Sequence, residues 1–128
     1  MLVAITLLNS LLAFLAVINF LSLRRPRRYE SCDLKVALLL PVRNEELNIA
    51  RILTEIQSQR GVSSLTTIVI NDGSTDSTRE IAANYGGDNF ILLDAPTLPQ
   101  GWIGKVHALQ TGYLAFPDAD IYISVDAD

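Results

Sequence analysis

Hydrophobic and polar positions divide the chain into an apolar start and a mixed remainder. From Leu2 to Leu23 there is no charged residue, and about 20 apolar residues in a helix suffice to cross a bilayer. We therefore predict a transmembrane anchor over residues 1–23. A cleaved signal peptide is the main alternative, although it would carry its positive charge before the apolar run. A buried helix of a soluble protein is disfavoured by the length of the run.

After the anchor, short apolar runs alternate with segments of helical periodicity, as they do in consecutive βαβ units. Strands are predicted over Leu34–Leu40, Leu65–Ile70, Phe90–Leu93 and Ile121–Val125. Pro41 is expected to end the first strand. Because crossovers between parallel strands are right-handed, we predict an α/β domain over residues 34–128, with a mostly parallel sheet covered by helices.

The first predicted helix of this domain spans about 14 residues and has one apolar face. That face comprises Ile49, Ile52, Leu53 and Ile56. Asn44 is the expected N-cap, with Glu45 and Glu46 in the first turn, where the helix dipole favours acidic side chains. Gly61 marks the end of the helix.

The two later helices are indicated by a cap and by spacing. Ser77 to Glu80 match a capping box, although Ser74 or Thr75 could equally cap the second helix. A loop with two prolines and two glycines is expected over residues 94–104. The third helix follows this loop, with Val106, Leu109, Tyr113 and Phe116 at helical spacing.

Positive charge is concentrated directly after the apolar run. Four of the ten lysine and arginine residues lie within Arg24–Arg28, which predicts that this side of a single-pass anchor faces the cytoplasm. These arginines either only orient the anchor or also contact anionic lipids. Residues 24–33 are interpreted as a short basic linker, so the soluble domain should lie close to the cell membrane.

The rest of the chain is acidic. Beyond Arg28, six basic residues face 14 acidic ones, a net charge of −8, which argues against a nucleic-acid partner. The single cysteine, Cys32, cannot form an internal disulfide and has no second cysteine or histidine nearby to share a zinc ion. A reducing, cytoplasmic setting fits this composition.

Unusual polar residues fall where the predicted strands end. These segments are Pro41 to Glu46, Asn71 to Asp76, the glycine-rich loop with Lys105, and Asp126 to Asp128. Ligands of open α/β sheets bind beyond the carboxyl ends of the strands, where loops and helix N-termini converge. The four segments are therefore expected to form one site.

Two carboxylates, Asp126 and Asp128, follow the last strand with one residue between them. Like charges this close repel each other, and a bound divalent cation would remove the repulsion. Carboxylate oxygens suit Mg²⁺ or Mn²⁺, which complete their coordination with water and phosphate oxygens. A solvated acidic turn is the alternative.

The other segments have both chemical and structural interpretations. Residues 71–76 combine a glycine with a helix N-terminus and could hold an anion, or could be an ordinary turn. Lys105 could contact a phosphate, or be a surface lysine. Trp102 could stack on a sugar or base, pack within its loop, or contact the membrane interface. His107 has no evident partner and is interpreted as structural.

In this order and spacing, the motifs resemble those of family 2 glycosyltransferases, which have the GT-A fold. The matching segments are Pro41 to Glu45, Asn71 to Asp76, Gly104-Lys105 with Ala108-Leu109, and Asp126 to Asp128. The resemblance covers about Lys35 to Asp128. The anchor together with residues 98–105 is most similar to the membrane-bound branch that acts on hopanoid, carotenoid or other lipid acceptors.

The resemblance implies a nucleotide-sugar donor, most simply a UDP-sugar, and a role for each matching residue. Pro41 and Glu45 would line the nucleotide pocket. Asp72 would hydrogen-bond to the uracil or the ribose, and Lys105 would lie near the diphosphate or the donor sugar.

The acidic triplet would hold the metal, Mg²⁺ or Mn²⁺. By the resemblance, Asp126 would face the ribose or a metal-bound water, and Asp128 would ligate the metal. The metal would neutralise the nucleoside diphosphate that leaves when the anomeric carbon is attacked.

The chain departs from the family pattern in two residues and in length. Asn71 stands where an aspartate is usual, and Gln110 where an asparagine is common. The family continues beyond the metal motif with an acceptor half that contains the general base, so we expect this chain to be an incomplete enzyme, inactive alone. A non-catalytic, membrane-tethered nucleotide-binding remnant is the alternative.

Two other enzyme classes are disfavoured by the segment after the first strand. A sugar-phosphate nucleotidyltransferase would have a glycine-rich loop with an arginine where Pro41 to Glu46 stand. A dinucleotide-dependent oxidoreductase would have the G-x-G-x-x-G fingerprint there.

Overall fold

The computed structural model describes residues 2–23 and 31–127, and this part of the chain forms four helices and four strands. The helices are α1 (Leu2–Ser22), α2 (Ile49–Gln57), α3 (Thr78–Ala83) and α4 (Gly104–Ala115). The strands are β1 (Cys32–Val42), β2 (Val62–Asn71), β3 (Phe90–Asp94) and β4 (Ile121–Ser124). The predicted order of elements is confirmed, and β1 begins two residues before its predicted start.

The helix α1 is long and apolar enough to cross a membrane. Its 21 residues extend about 30 Å, the thickness of a bilayer hydrocarbon core. The apolar window Ile5–Ser22 lies near the N-terminus and is not buried against the rest of the described chain. By length and composition, α1 is a candidate membrane span. The predicted orientation signal at Arg24–Arg28 lies outside the described residues.

The four strands form one parallel sheet in the order β3-β2-β1-β4. On one face, Leu40 and Val69 pack against α2 and α3. On the other, Leu39 and Ile70 pack against α4, which crosses back from β3 to β4. Burial of β1 on both faces explains its nearly continuous apolar sequence. The predicted parallel α/β sheet is therefore confirmed.

Pro41 does not end the first strand, as the sequence predicted, because β1 continues through it to Val42. The Leu39 carbonyl oxygen accepts a hydrogen bond from Val125 N across the β4 side. Backbone groups of alternate residues point to the same side of a strand, so Pro41 also faces that side. Since β4 ends at Ser124, the sheet needs no backbone N–H donor at position 41. Proline, which has no N–H, is therefore tolerated there.

The predicted N-terminus of α2 is wrong by four residues, because the N-cap residue is Asn48 rather than Asn44 and the helix begins at Ile49. Asn44 has a positive φ of 57°, and its Oδ1 accepts a hydrogen bond from Thr75 N at 2.8 Å. A left-handed residue bound to another loop cannot serve as a helix cap. A turn follows instead, in which the Glu45 carbonyl oxygen accepts hydrogen bonds from the amides of residues 48 and 49.

The predicted capping box of α3 does not form, since the side chain of the N-cap residue Ser77 makes no capping hydrogen bond. Asp76 accepts the hydrogen bonds at the start of the helix instead. Its Oδ1 accepts from Thr78 N at 3.0 Å and from Thr78 Oγ1 at 2.6 Å. Neither Ser74 nor Thr75 lies at the N-cap position.

The buried face of α4 is only partly the predicted one. Leu109 and Phe116 pack against the core, but Val106 and Tyr113 are about half exposed. The buried residues of the helix are His107, Ala108 and Gly112. A β-carbon at Gly112 would lie 2.8 Å from Ile70 Cδ1, so small residues bring α4 close to the sheet.

Candidate functional site

A cavity of about 280 Å³ lies at the carboxyl edge of the sheet, between the ends of β1, β2 and β4 and the start of α4. It is lined by Pro41, Val42, Arg43, Glu45, Asp72, Lys105, Asp126 and Ala127. Five of these were predicted from the sequence as site residues: Pro41, Glu45, Asp72, Lys105 and Asp126. The sixth predicted residue, Asp128, lies outside the described residues.

Asp72 lies on the cavity wall directly after β2. Its amide donates a hydrogen bond to the Val42 carbonyl oxygen at 2.9 Å, which extends the pairing of β2 with β1. Its carboxylate Oδ2 lies 3.9 Å from Arg43 Nη1. Arg43 belongs to one of the matching motifs but was not predicted as a site residue. It lies at the cavity because the residue after Val42 leaves the sheet beside Asp72.

Gly104 lies beside the Asp72 carboxylate. A β-carbon at Gly104 would lie 2.6 Å from Asp72 Oδ2, too short for any side chain unless Asp72 moves. The first residue of α4 therefore has to be glycine for Asp72 to keep this position. The sequence marked this segment as glycine-rich but did not indicate which atom the glycine contacts.

Lys105 and Asp126 form an ion pair across the cavity, with Lys105 Nζ 2.5 Å from Asp126 Oδ1. Both side chains are 53% exposed, so water screens the pair, and pairs of this kind contribute about 0–1 kcal/mol. Little free energy is therefore needed to separate the two charges, and both can turn to a bound ligand.

The loops after β1 and β2 are joined by reciprocal hydrogen bonds. Asn44 N donates to Ser74 Oγ at 3.1 Å, and Thr75 N donates to Asn44 Oδ1 at 2.8 Å. Glu45 N donates to Thr78 Oγ1 at 2.7 Å. Several polar residues of these two motifs therefore hold the loops together, whereas Arg43, Glu45 and Asp72 line the cavity.

Thr78 and Asp76 form the base of this loop contact. Thr78 is fully buried, and its hydroxyl accepts from Glu45 N while it donates to Asp76. The hydrogen bond from the Thr78 side chain is the main reason that the pKa of Asp76 lies below its ordinary value. Glu46 completes the contact, since its Oε2 accepts a hydrogen bond from Ser77 N at 3.2 Å. Glu46 thus binds the backbone at the start of α3, and it does not lie in the first turn of α2 as predicted, because that helix begins at Ile49.

The carboxylate of Glu45 is oriented from its own loop. Asn48 Nδ2 donates a hydrogen bond to Glu45 Oε2 at 2.9 Å. Since Asn48 is the residue before α2, the helix start determines where this cavity carboxylate lies.

Asn71, the residue that departs from the family pattern, is buried at the end of β2 and uses both ends of its amide. Its Nδ2 donates to Asp94 Oδ1 at 2.9 Å, and its Oδ1 accepts from Ser74 N at 3.1 Å. Arg79 binds the same Asp94 carboxylate with two nitrogens. Hydrogen bonds from Arg79 and then Asn71 hold the pKa of Asp94 below its ordinary value, and Asp94 raises the pKa of Arg79. An aspartate at position 71 could not donate to Asp94 unless it were protonated.

His107 lies outside the cavity, on α4. It is buried, and its Nδ1 has no hydrogen-bond partner among the described residues. Its ring meets that of Trp102 edge-on, with centroids 5.8 Å apart. His107 therefore packs against the loop before α4 and does not line the cavity.

The carboxylates that line the cavity are chemically suitable ligands for a divalent cation. No group of three or more His, Cys, Asp or Glu side chains in residues 2–23 and 31–127 is arranged to hold a metal. Mg²⁺ and Mn²⁺ sites commonly need only one or two protein carboxylates, with the remaining ligands from water and phosphate. Asp126, half exposed on the cavity wall, is a suitable donor of this kind.

Comparison with known proteins establishes the family. Residues 37–128 match the family model described as glycosyl transferase family 2. The chain therefore belongs to glycosyltransferase family 2.

A curated relative supports the same family. The 4,4'-diaponeurosporenoate glycosyltransferase of Staphylococcus aureus (strain USA300) is 36% identical over 93 residues, which cover 67% of this chain and 24% of the relative. The same enzyme from strain NCTC 8325 matches equally. The chain thus spans about a quarter of the length of these relatives.

Solved structures confirm the GT-A fold. A mannosyltransferase from Pyrobaculum calidifontis, in complex with GDP-Man and Mn²⁺, is similar with a TM-score of 0.66 and 25% identity, over 92% of this chain and 34% of that one. Glucosyl-3-phosphoglycerate synthase from Mycobacterium tuberculosis, in complex with Mn²⁺, UDP and phosphoglyceric acid, has a TM-score of 0.63 and 25% identity, over 82% of this chain and 39% of that one.

Proposed function

We propose that this chain is the donor-binding part of a glycosyltransferase that uses a nucleoside diphosphate sugar, with UDP as the expected nucleotide. The observation that carries the proposal is that five predicted site residues line one cavity at the carboxyl edge of a parallel sheet. They are Pro41, Glu45, Asp72, Lys105 and Asp126. These residues come from four separate segments of the sequence. Family 2 membership makes glycosyl transfer the activity that such a cavity would serve.

In this proposal the nucleoside lies against the ends of β1 and β2. Pro41 and Glu45 line its pocket, and Asp72 accepts a hydrogen bond from the base or the ribose. The lack of space for a side chain between Gly104 and Asp72 and the orientation of Glu45 by Asn48 support a preorganised pocket. Arg43, beside Asp72, adds positive charge on the side where an anionic donor enters.

The diphosphate lies between Lys105 and Asp126. Lys105 exchanges its contact with Asp126 for the phosphate oxygens, and Asp126 then faces the ribose or the metal together with Asp128. When bound, Mg²⁺ or Mn²⁺ supplies positive charge that neutralises the leaving nucleoside diphosphate. The Mn²⁺ in the complexes of the two solved relatives supports a divalent metal.

We also propose the membrane organisation that the sequence indicates. Residues 1–23 form a single-pass anchor, residues 24–33 a basic linker, and residues 34–128 the donor domain on the cytoplasmic side of the cell membrane. The acceptor is a lipid. The name of the S. aureus relative, which gives 4,4'-diaponeurosporenoate as what it glycosylates, supports an acceptor of this class.

Isothermal titration calorimetry with UDP and with GDP, each with and without Mn²⁺, tests the donor site. We expect binding that requires Mn²⁺ and is weakened about tenfold or more, or at least about 1.4 kcal/mol, in Asp72→Ala. Asp118→Ala, at an exposed position away from the cavity, is the matched control and should bind as the parent chain does. Absence of metal-dependent binding to either nucleotide would contradict the proposal.

A further inference from the structure

Five large apolar side chains are exposed on the loop before α4 and on the outward side of that helix. They are Leu98, Trp102, Ile103, Val106 and Leu114, and are here called the apolar surface. Their exposed fractions run from 42% at Trp102 to 71% at Ile103. Trp102 and Leu114 line the same shallow cavity, so the loop part and the helix part of this surface are continuous.

The apolar surface faces away from the sheet. Ile103, Val106 and Leu114 recur at helical spacing on the side of α4 opposite to Ala108 and Gly112, which pack on the strands. Most exposed apolar residues on proteins are scattered, whereas a continuous apolar group marks a surface that binds a partner or a membrane.

Trp102 is held in place on this surface by two contacts. Its amide donates a hydrogen bond to the Pro99 carbonyl oxygen at 3.1 Å, and its indole packs edge-on against the buried His107 ring. Tryptophan is enriched at membrane interfaces, because its ring is apolar and its N–H can reach the headgroups.

The segment that carries this surface has no acidic side chain. Residues 95–117 contain no aspartate or glutamate, although the chain beyond Arg28 has six basic and 14 acidic residues. An anionic lipid surface repels acidic segments, and it accepts a segment that carries only Lys105 and the neutral side chains around it. The bilayer interface is the occupant that fits this surface, which combines apolar side chains and a tryptophan with the absence of acidic charge.

We infer that the apolar surface docks on the lipid bilayer and forms a second membrane contact besides α1. The inference rests on the membrane anchoring proposed above. Nine residues lie between Ser22 and Cys32, and they reach at most about 35 Å. The tether is therefore long enough for α4, which begins at the other end of the sheet, to reach the bilayer. Since Ile103 immediately precedes Gly104 and Lys105, docking sets the edge of the donor cavity beside the lipid headgroups, where a lipid acceptor would present its reacting group.

Tryptophan fluorescence tests the inference, because Trp102 is the chain's single tryptophan. The full chain is reconstituted into vesicles of anionic lipid, with and without lipids brominated near the carbonyl end of the acyl chains. We expect brominated lipids to reduce Trp102 emission about twofold or more, as for an indole at the membrane interface. Quenching by acrylamide instead of lipid would mean that the surface faces water, and would overturn the inference. Shielding from both quenchers would mean that polypeptide covers it, with the same consequence.

Variants and a separate assay distinguish this docking from the anchor. Ile103→Asp combined with Val106→Asp should abolish lipid quenching, whereas Leu47→Asp, at an apolar position that is 89% exposed elsewhere, should leave it unchanged. Flotation after an alkaline wash reports on α1 alone. A chain that floats without lipid quenching of Trp102 keeps the proposed anchor and overturns the docking. A chain that neither floats nor shows lipid quenching overturns both.

Discussion

Lys105 Nζ lies 2.5 Å from Asp126 Oδ1, and this ion pair connects the first turn of α4 with the residues that follow β4. The two residues belong to motifs that are 21 positions apart in the sequence. Both motifs were expected at the same edge of the sheet. The ion pair joins the lysine of one motif to the carboxylate of the other, and both residues line one cavity. The diphosphate of a donor is proposed to lie between them.

Replacement of Lys105 therefore tests the diphosphate position. Lys105→Met should weaken UDP binding about tenfold or more, because a charge-assisted contact to phosphate is lost. Lys35→Met, at the opposite end of the sheet near the start of β1, is the control and should change the affinity little. Equal affinities of the two variants, measured by calorimetry in the presence of Mn²⁺, would remove Lys105 from the donor site.

Gly104→Ala tests the close contact with Asp72. The added β-carbon would lie 2.6 Å from Asp72 Oδ2, so the carboxylate has to move, and we expect UDP affinity to fall about tenfold. Gly86→Ala is the matched control, since a β-carbon at Gly86 meets nothing within 4 Å. An affinity unchanged in Gly104→Ala would show that the position of Asp72 does not matter for donor binding.

Thr78→Val tests the contact between the loops after β1 and β2. The substitution keeps the shape of a fully buried side chain but leaves Glu45 N without its acceptor, which should cost about 1–3 kcal/mol of unfolding free energy. Thr111→Val is the control, because the Thr111 hydroxyl donates its hydrogen bond to the His107 carbonyl oxygen within the same helix, α4. Urea unfolding of both variants in detergent gives the comparison, and an equal loss in the two would argue against a special role for Thr78.

Asp94 makes a pH-dependent contribution to stability. Its pKa is lowered in the folded chain by Arg79 and Asn71, so its stabilising effect is present above the unfolded pKa of about 3.9 and is lost as the pH falls through the lower folded value. Asp94→Asn should therefore be less stable than the parent chain at pH 7, by up to about 1 kcal/mol because the pair is exposed. The difference should shrink below about pH 4. A difference that stays constant from neutral to acidic pH, measured against Asp118→Asn, would contradict this account.

The order of elements and the edge that carries the site could be predicted because both follow from local pattern. The apolar runs of β1 and β2 reflect burial on both faces, and parallel topology puts the ends of all strands at one edge. Pro41, Glu45, Asp72, Lys105 and Asp126 were therefore expected together, and they line one cavity. Their roles in binding stay predictions.

The details that were wrong depend on contacts between segments far apart in sequence. Asn44 is a good helix cap by type, but a hydrogen bond from Thr75, 31 positions later, fixes it in a left-handed conformation. Pro41 is a strand breaker by type, yet it lies where the neighbouring strand has already ended. The buried face of α4 was mistaken because Gly112 and Ala108, which pack on Ile70 and its neighbours, carry little hydrophobic signal.

The central claim is that the five cavity residues form one site for a nucleoside diphosphate and a divalent metal, and paramagnetic broadening by Mn²⁺ tests it most directly. Backbone amide signals of the isotope-labelled chain are recorded in detergent with UDP and Mn²⁺, and with UDP and Mg²⁺ as the diamagnetic reference. The account predicts that Mn²⁺ broadens the amides of Asp72, Lys105 and Asp126. The amides of Cys32 and Val62, about 30 Å away at the opposite edge of the sheet, should remain sharp. Broadening centred on the opposite edge, or none that depends on UDP, would contradict the claim.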